Sequence, residues 1–150
     1  MKRFLKNNIV IICLTFFIPG IFAIFLRNTF ADFQYLNKPP FSPPGILFPI
    51  VWSILYALMS ASYIIVKNED ENNMKYYYFQ LIINALWTPL FFGLKLYFIA
   101  LLDLIVLLVS VIYMTYKFYK CNKITIYLLV PYIVWLLYAF YLNFFIFLNN

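Results

Sequence analysis

Residues 38–63 read KPPFSPPGILFPIVWSILYALMSASY. Five of the eight prolines fall in this stretch, which passes without a break from kinked polar chain into an apolar run. Phe48, Trp52, Tyr56, Met59 and Tyr63 recur at spacings of four, four, three and four, which is the period of one helical face. A stiff proline lip leading into an aromatic wall is a sensible way to build a binding pocket. Ser42 followed by Pro43 reads as an N-cap and N1 pair, so a helix is expected over about 44–66. Pro49 is expected to kink its start by freeing the Gly45 carbonyl.

Four more apolar runs flank this one, predicted as helices over about 9–26, 76–94, 97–116 and 124–148. The first follows Lys2, Arg3 and Lys6 and contains Pro19-Gly20; with no small-x-small site after it, it reads as a retained helix rather than a cleaved signal. Between it and the proline lip lies RNTFADFQYLNKPPFSPP, residues 27–44, expected to be a stiff non-helical cover. The KNEDENNMK turn and the basic loop 117–123 read as solvated connectors. The third helix would place Gln80, Asn84, Trp87 and Phe91 on one face. Two amides at membrane depth are costly against lipid, so that face should look into the bundle. Pro89 would leave the Ala85 carbonyl free within it. On the fifth helix Tyr132, Trp135, Ala139, Leu142, Asn143 and Ile146 share a face, a pattern that suits a ligand wall and close helix packing equally.

Composition bounds the class. Hydrophobic residues make up 66% of the 150, with 18 Phe, 14 Tyr and 3 Trp against only 11 basic and 5 acidic side chains. Such a chain cannot cover itself with polar surface, so the expected fold is an all-α membrane protein, a single-domain bundle of five transmembrane helices. The net charge of +6 sits in short clusters between apolar runs, the pattern of membrane anchors rather than of a nucleic-acid groove. Eight Lys/Arg fall at the N-terminus and in the second and fourth connections, against Arg27, Lys38 and Lys95 on the other side. The positive-inside rule then places the N-terminus in the cytoplasm and the C-terminus outside the cell membrane. There is no histidine and no CxxC, so a His-based triad, a His-ligated haem and a transition-metal site of the usual donors find no support. Asp103, alone in the fourth helix, reads as a structural or protonated carboxyl rather than part of a site.

Three blocks carry a family resemblance: KPPFSPPGILFPIVWSILYALMSAS, QLIINALWTPLFF and LLVPYIVWLLYAFYLN. Their order and spacing resemble the translocator protein family, also called the tryptophan-rich sensory protein or peripheral benzodiazepine receptor family. The resemblance covers essentially the whole chain. It implies a five-helix bundle, commonly a homodimer, with a pocket under the first loop. That pocket would bind protoporphyrin IX or another flat apolar molecule, including isoquinoline-carboxamide and benzodiazepine-type compounds and, in animal members, cholesterol. Porphyrin would be a ligand; no cofactor is required. Carried over by position, the ligand-binding candidates are Trp52, Tyr56, Asn84, Trp87, Phe91, Trp135 and Ala139; the aromatic face of the second helix adds Phe48, and the proline lip adds Lys38, Pro40 and Phe41 at the rim. Trp52 and Trp135 match the tryptophans that the family implicates in porphyrin photochemistry. The chain departs from the family at Asp32 and Phe33, where a Trp-Tyr pair is usual, and at Phe41, where Trp is common. Leu108, Tyr113 and Lys117 fit a loose sterol-recognition pattern.

The leading expectation is therefore a membrane-bound tetrapyrrole-binding protein, with Lys38 or Arg27 pairing with ligand carboxylates and Asn84 supplying a directional hydrogen bond. An enzyme that degrades porphyrin in light, through electron donation by Trp52 or Trp135, is the second. A small-molecule transporter is the third, since five helices without an internal repeat are not the usual plan of one.

Overall fold

The computed structural model describes residues 2–26 and 29–150, without the side chains of residues 2–8, 23, 30 and 31. Arg27, proposed above as a rim cation, lies outside the described residues, as do the side chains of Lys2, Arg3 and Lys6. Five long helices are present: α1 (Lys2–Phe25), α2 (Leu47–Glu69), α3 (Met74–Thr88), α4 (Tyr97–Cys121) and α5 (Thr125–Asn149). Among the described residues α2, α4 and α5 are long and apolar enough to cross a bilayer. Helix contacts run α1–α2, α2–α5, α5–α4, α4–α3 and α3–α1, which closes the bundle into a ring.

Each helix buries the face that its period selects. Met59, Tyr63 and Val66 of α2 are fully buried, as are Tyr77 and Gln80 of α3, Leu107, Val111 and Met114 of α4, and Leu129 and Tyr132 of α5. Lipid-facing positions such as Ile54, Ile82, Val109 and Val134 remain apolar and exposed, the inverse of a water-soluble bundle.

Several expected boundaries move, each for a local reason. α2 begins at Leu47 with Ile46 at its N-cap, and the Ser42 hydroxyl is buried without a partner rather than capping anything. Pro49 falls in the first turn, where its missing N–H costs no helical bond, and the Gly45 carbonyl is not free but accepts from the Phe48 N–H at 3.3 Å. α3 stops at Thr88; Pro89–Gly93 is a widened π turn in which the Leu94 N–H reaches back five residues to the Pro89 carbonyl at 2.9 Å. That turn brings consecutive Phe91 and Phe92 both inward, which a regular helix does not readily do. α4 continues through Cys121, so Lys117 and Lys120 belong to the helix and not to a loop. Their stems fold back over tyrosine rings: the Lys120 Nζ lies 4.5 Å from the Tyr116 centroid and the Lys117 Nζ 5.4 Å from that of Tyr113.

The cover is also more ordered than expected. Thr29–Tyr35 forms 3-10 turns that pack Phe33 against Phe48 and Phe92, at ring separations of 5.5 and 6.0 Å. Three tethers hold it down. Asp32 pairs with Lys95 at 2.9 Å. The Asn37 N–H and side-chain amide donate to Asn150 Oδ1 (3.0 Å) and the Asn149 carbonyl (3.2 Å), and Asn150 Nδ2 returns a bond to the Asn37 carbonyl (3.2 Å). The Tyr138 hydroxyl donates to the Phe41 carbonyl at 2.8 Å, fixing the one residue of the lip with a left-handed backbone (φ 69°).

Candidate functional site

Beneath this cover α1, α2 and α3 enclose a cavity of about 670 Å³. That is within the range of small-molecule sites. Phe48, Trp52 and Tyr56 of α2 form one wall, as their four-residue spacing predicts, while Asn84, Trp87 and Thr88 of α3 form the second. Phe16, Pro19 and Gly20 of α1 form the third, and Phe33, Gln34, Gly45 and Ile46 close the top. At Gly20 and Gly45 nothing lies within 4 Å of where a side chain would start, so both glycines leave space that the cavity uses.

The wall is mostly carbon with a few fixed polar atoms. Trp52 stacks on Tyr56 at 5.4 Å and meets Tyr132 edge-on at 6.1 Å. Behind these rings runs a chain of hydrogen bonds. The Tyr56 hydroxyl donates to Asn84 Oδ1 (3.1 Å), Asn84 Nδ2 donates to the Tyr132 hydroxyl (2.9 Å), and that hydroxyl donates to Gln80 Oε1 (3.0 Å). Both amides of α3 therefore face inward, as the cost of exposing them to lipid requires. Asn84 has one lone pair and one N–H left, so its first duty is to hold the two tyrosines. Trp87 lines the cavity, while its indole N–H is buried with no protein acceptor.

The candidates read from the sequence separate into groups. Phe48, Trp52, Tyr56, Asn84 and Trp87 meet at the cavity. Phe91 and Ala139 instead line a separate small gap of about 10 Å³ between the π turn and α5, and Phe33, Phe48, Trp87 and Phe92 form the partition between the two spaces. Trp135 lines neither; it lies behind Phe48 (5.9 Å) and beside Tyr138 (5.5 Å), with its indole N–H buried and unpartnered. Of the rim residues, Lys38 sits over the Phe33 ring at 4.9 Å, one ring removed from the cavity. Pro40 and Phe41 point away from it, Phe41 being 95% exposed. Among residues that sequence reasoning missed, Phe16, Pro19 and Gly20 have the i, i+3, i+4 spacing of one face. α1 is apolar on every side, so that face did not stand out.

The family comparisons agree with this geometry. The sequence profile of the TspO/MBR family matches residues 9–148. The chain is 35% identical over 128 residues to Protein CrtK of Rhodobacter capsulatus, covering 81% of this chain and 79% of that one. It is 39% identical over 119 residues to Tryptophan-rich protein TspO of Archaeoglobus fulgidus, covering 77% of each. Against the human translocator protein it is 31% identical over 122 residues, covering 77% of this chain and 72% of the other. A five-helix bundle with several bilayer-length apolar helices, matched over nearly its whole length, identifies the chain as a multi-pass membrane protein of the TspO/MBR family.

Proposed function

We propose that this protein binds a flat, apolar tetrapyrrole, with protoporphyrin IX as the type ligand, in the cavity between α1, α2 and α3. The observation that carries the reading is the cavity itself: about 670 Å³, walled by stacked aromatic rings, under a cover tethered at three points. A planar macrocycle suits the Trp52–Tyr56 stack, each aromatic contact adding roughly 0.5–1.5 kcal/mol beyond area burial. Ligand carboxylates would stay near the rim, where among the described residues Lys38 has no carboxylate partner while Lys95 is tied to Asp32. Isoquinoline-carboxamide and benzodiazepine-type molecules, also flat and apolar, fit the same description. Relatives bearing the names sensory protein and translocator protein support a role in which binding is reported or passed on. In this reading the protein works in the cell membrane as a homodimer, with its N-terminus cytoplasmic and its C-terminus outside, an orientation that the distribution of Lys and Arg supports.

The test is a titration of the purified protein with protoporphyrin IX in the dark, following tryptophan emission. Saturable quenching, weakened by Trp52→Phe, is expected. Quenching that never saturates, or that Trp52→Phe leaves unchanged, would remove the reading. A light-driven oxidation of the pigment is the second reading, favoured by one observation: Trp52 lines the cavity, so it could lend an electron to the excited pigment, which passes it to dioxygen. The Trp52 radical then recovers an electron from the pigment, whose radical cation combines with the superoxide, so that dioxygen is added to the pigment and Trp52 is restored. Dioxygen would be the terminal oxidant. Product formed at the same rate by free porphyrin under equal illumination would exclude it.

A further inference from the structure

At the end of the bundle away from the cavity, five lysines (Lys67, Lys75, Lys117, Lys120 and Lys123) share the surface with three carboxylates, Glu69, Asp70 and Glu71. Two of those carboxylates are engaged by amides. Asp70 accepts from the Asn72 N–H (3.0 Å) and Asn73 Nδ2 (2.9 Å), and Glu69 accepts from Asn122 Nδ2 (2.8 Å). Among the described residues the only ion pair in the protein is Asp32–Lys95, at the other end. The lysines here are thus left without carboxylate partners, and two of them converge. Lys75 Nζ lies 5.2 Å from the Tyr76 centroid, and Lys117 Nζ lies 6.0 Å from that same ring and 5.4 Å from Tyr113. The two rings meet edge-on at 5.1 Å across the seam of α3 and α4.

Helix formation gives no reason for this arrangement. Lys75 occupies the first turn of α3, where the macrodipole disfavours a cation, and like charges brought to one ring repel. An anion between them reverses both costs. We propose that Lys75, Tyr76, Tyr113 and Lys117 form a site for the phosphate of an anionic phospholipid headgroup. The lipid source follows from placement. The cluster lies at the end of two bundle helices, tyrosine and lysine are the residues of the membrane interface, and Val109, one turn before Tyr113, is 62% exposed apolar surface for an acyl chain. The site is independent of the cavity: Lys75 and Trp87 are twelve residues apart along α3, about 18 Å of helix.

Native mass spectrometry of the intact, detergent-solubilised protein with dioleoylphosphatidylglycerol or dioleoylphosphatidylcholine tests this. The double variant Lys75→Gln/Lys117→Gln is compared with Lys67→Gln/Lys120→Gln, which removes equal charge from the same end. All four side chains are surface lysines, and retained helicity by circular dichroism establishes that each variant is folded. Phosphatidylglycerol affinity should fall roughly 25-fold in the first variant, about fivefold per lysine, and less than fivefold in the second. Equal losses in both would reduce the site to diffuse surface charge and overturn the proposal. So would equal retention of phosphatidylcholine, or displacement of the lipid by inorganic phosphate at matched concentration, which would make it a free-anion site.

Discussion

The buried hydrogen-bond chain behind the cavity makes a prediction whose size can be worked from its geometry. Tyr132 is fully buried, and its hydroxyl serves two partners at once: it accepts from Asn84 and donates to Gln80. Gln80 is itself fully buried and its Nε2 already has no partner. Tyr132→Phe keeps the ring, and with it the edge-on contact to Trp52, but orphans Asn84 Nδ2 and Gln80 Oε1 together. An orphaned buried polar group costs about 1–3 kcal/mol. Asn84 borders the cavity, so water there can take back part of its loss, while Gln80 has no such recourse. The expected destabilisation is about 2–4 kcal/mol. Tyr56→Phe is the internal control, since it removes one bond, from a side chain that borders the cavity. That bond is worth only about 0.6 kcal/mol on average between membrane helices. Thermal unfolding in a single detergent should therefore rank the parent and Tyr56→Phe close together and Tyr132→Phe well below. If the two variants melted together, Tyr132 would not be the hub of a buried network, and the inward placement of the α3 amides would need another explanation.

Other expectations follow from the cover and the partition. Asn37→Ala and Asn150→Ala combined with Tyr138→Phe break two of the three tethers, so ligand release measured by stopped-flow should accelerate while equilibrium helicity stays constant. An unchanged release rate would mean that the cover does not gate the cavity. The third tether has a pH signature: Asp32 raises the Lys95 pKa by hydrogen bonding and charge, so the pair stabilises below the ordinary lysine range and is lost as pH rises through the elevated value. As pH is raised from neutral, the stability gap between parent and Asp32→Asn should hold and then close on the alkaline side; a gap that closed between about pH 7 and 8 would contradict the pairing. Phe33→Ala removes one of the four rings that stand between the cavity and the gap beside Ala139. It should admit bulkier ligands at a cost of about 3–5 kcal/mol in stability. Admission of no larger ligand would show that Phe48, Trp87 and Phe92 keep the spaces apart without it.

How much of this was legible in the sequence depends on what a periodic pattern can carry. The inward faces of α2, α3 and α5 could be read because aromatic and amide residues stand out against aliphatic ones at helical spacing. Radial depth could not. Trp52 and Trp135 both lie on inward faces, yet Trp52 lines the cavity while Trp135 stands behind Phe48, because the ring order α1–α2–α5–α4–α3 is a long-range property. The start of α2 was misplaced because Ser42-Pro43 has the composition of a cap, while the chain makes a further turn through Pro44 and Gly45. α4 was cut short because lysines near a helix end read as loop when they can equally lay their stems over neighbouring tyrosines. The α1 wall was hidden by uniform hydrophobicity. The importance of its Pro19-Gly20 is the space it leaves.

That space offers the most direct test of the central claim. Gly20→Leu adds a side chain at a helical position where nothing lies within 4 Å, so the helix itself should not suffer; leucine in fact favours helix over glycine by roughly 0.5–1 kcal/mol. The only expected consequence is an obstructed cavity. Protoporphyrin IX binding in the dark should weaken at least tenfold in Gly20→Leu, while the melting temperature stays equal to the parent's or rises. Unchanged porphyrin affinity in a folded Gly20→Leu protein would show that the ligand does not enter between α1, α2 and α3.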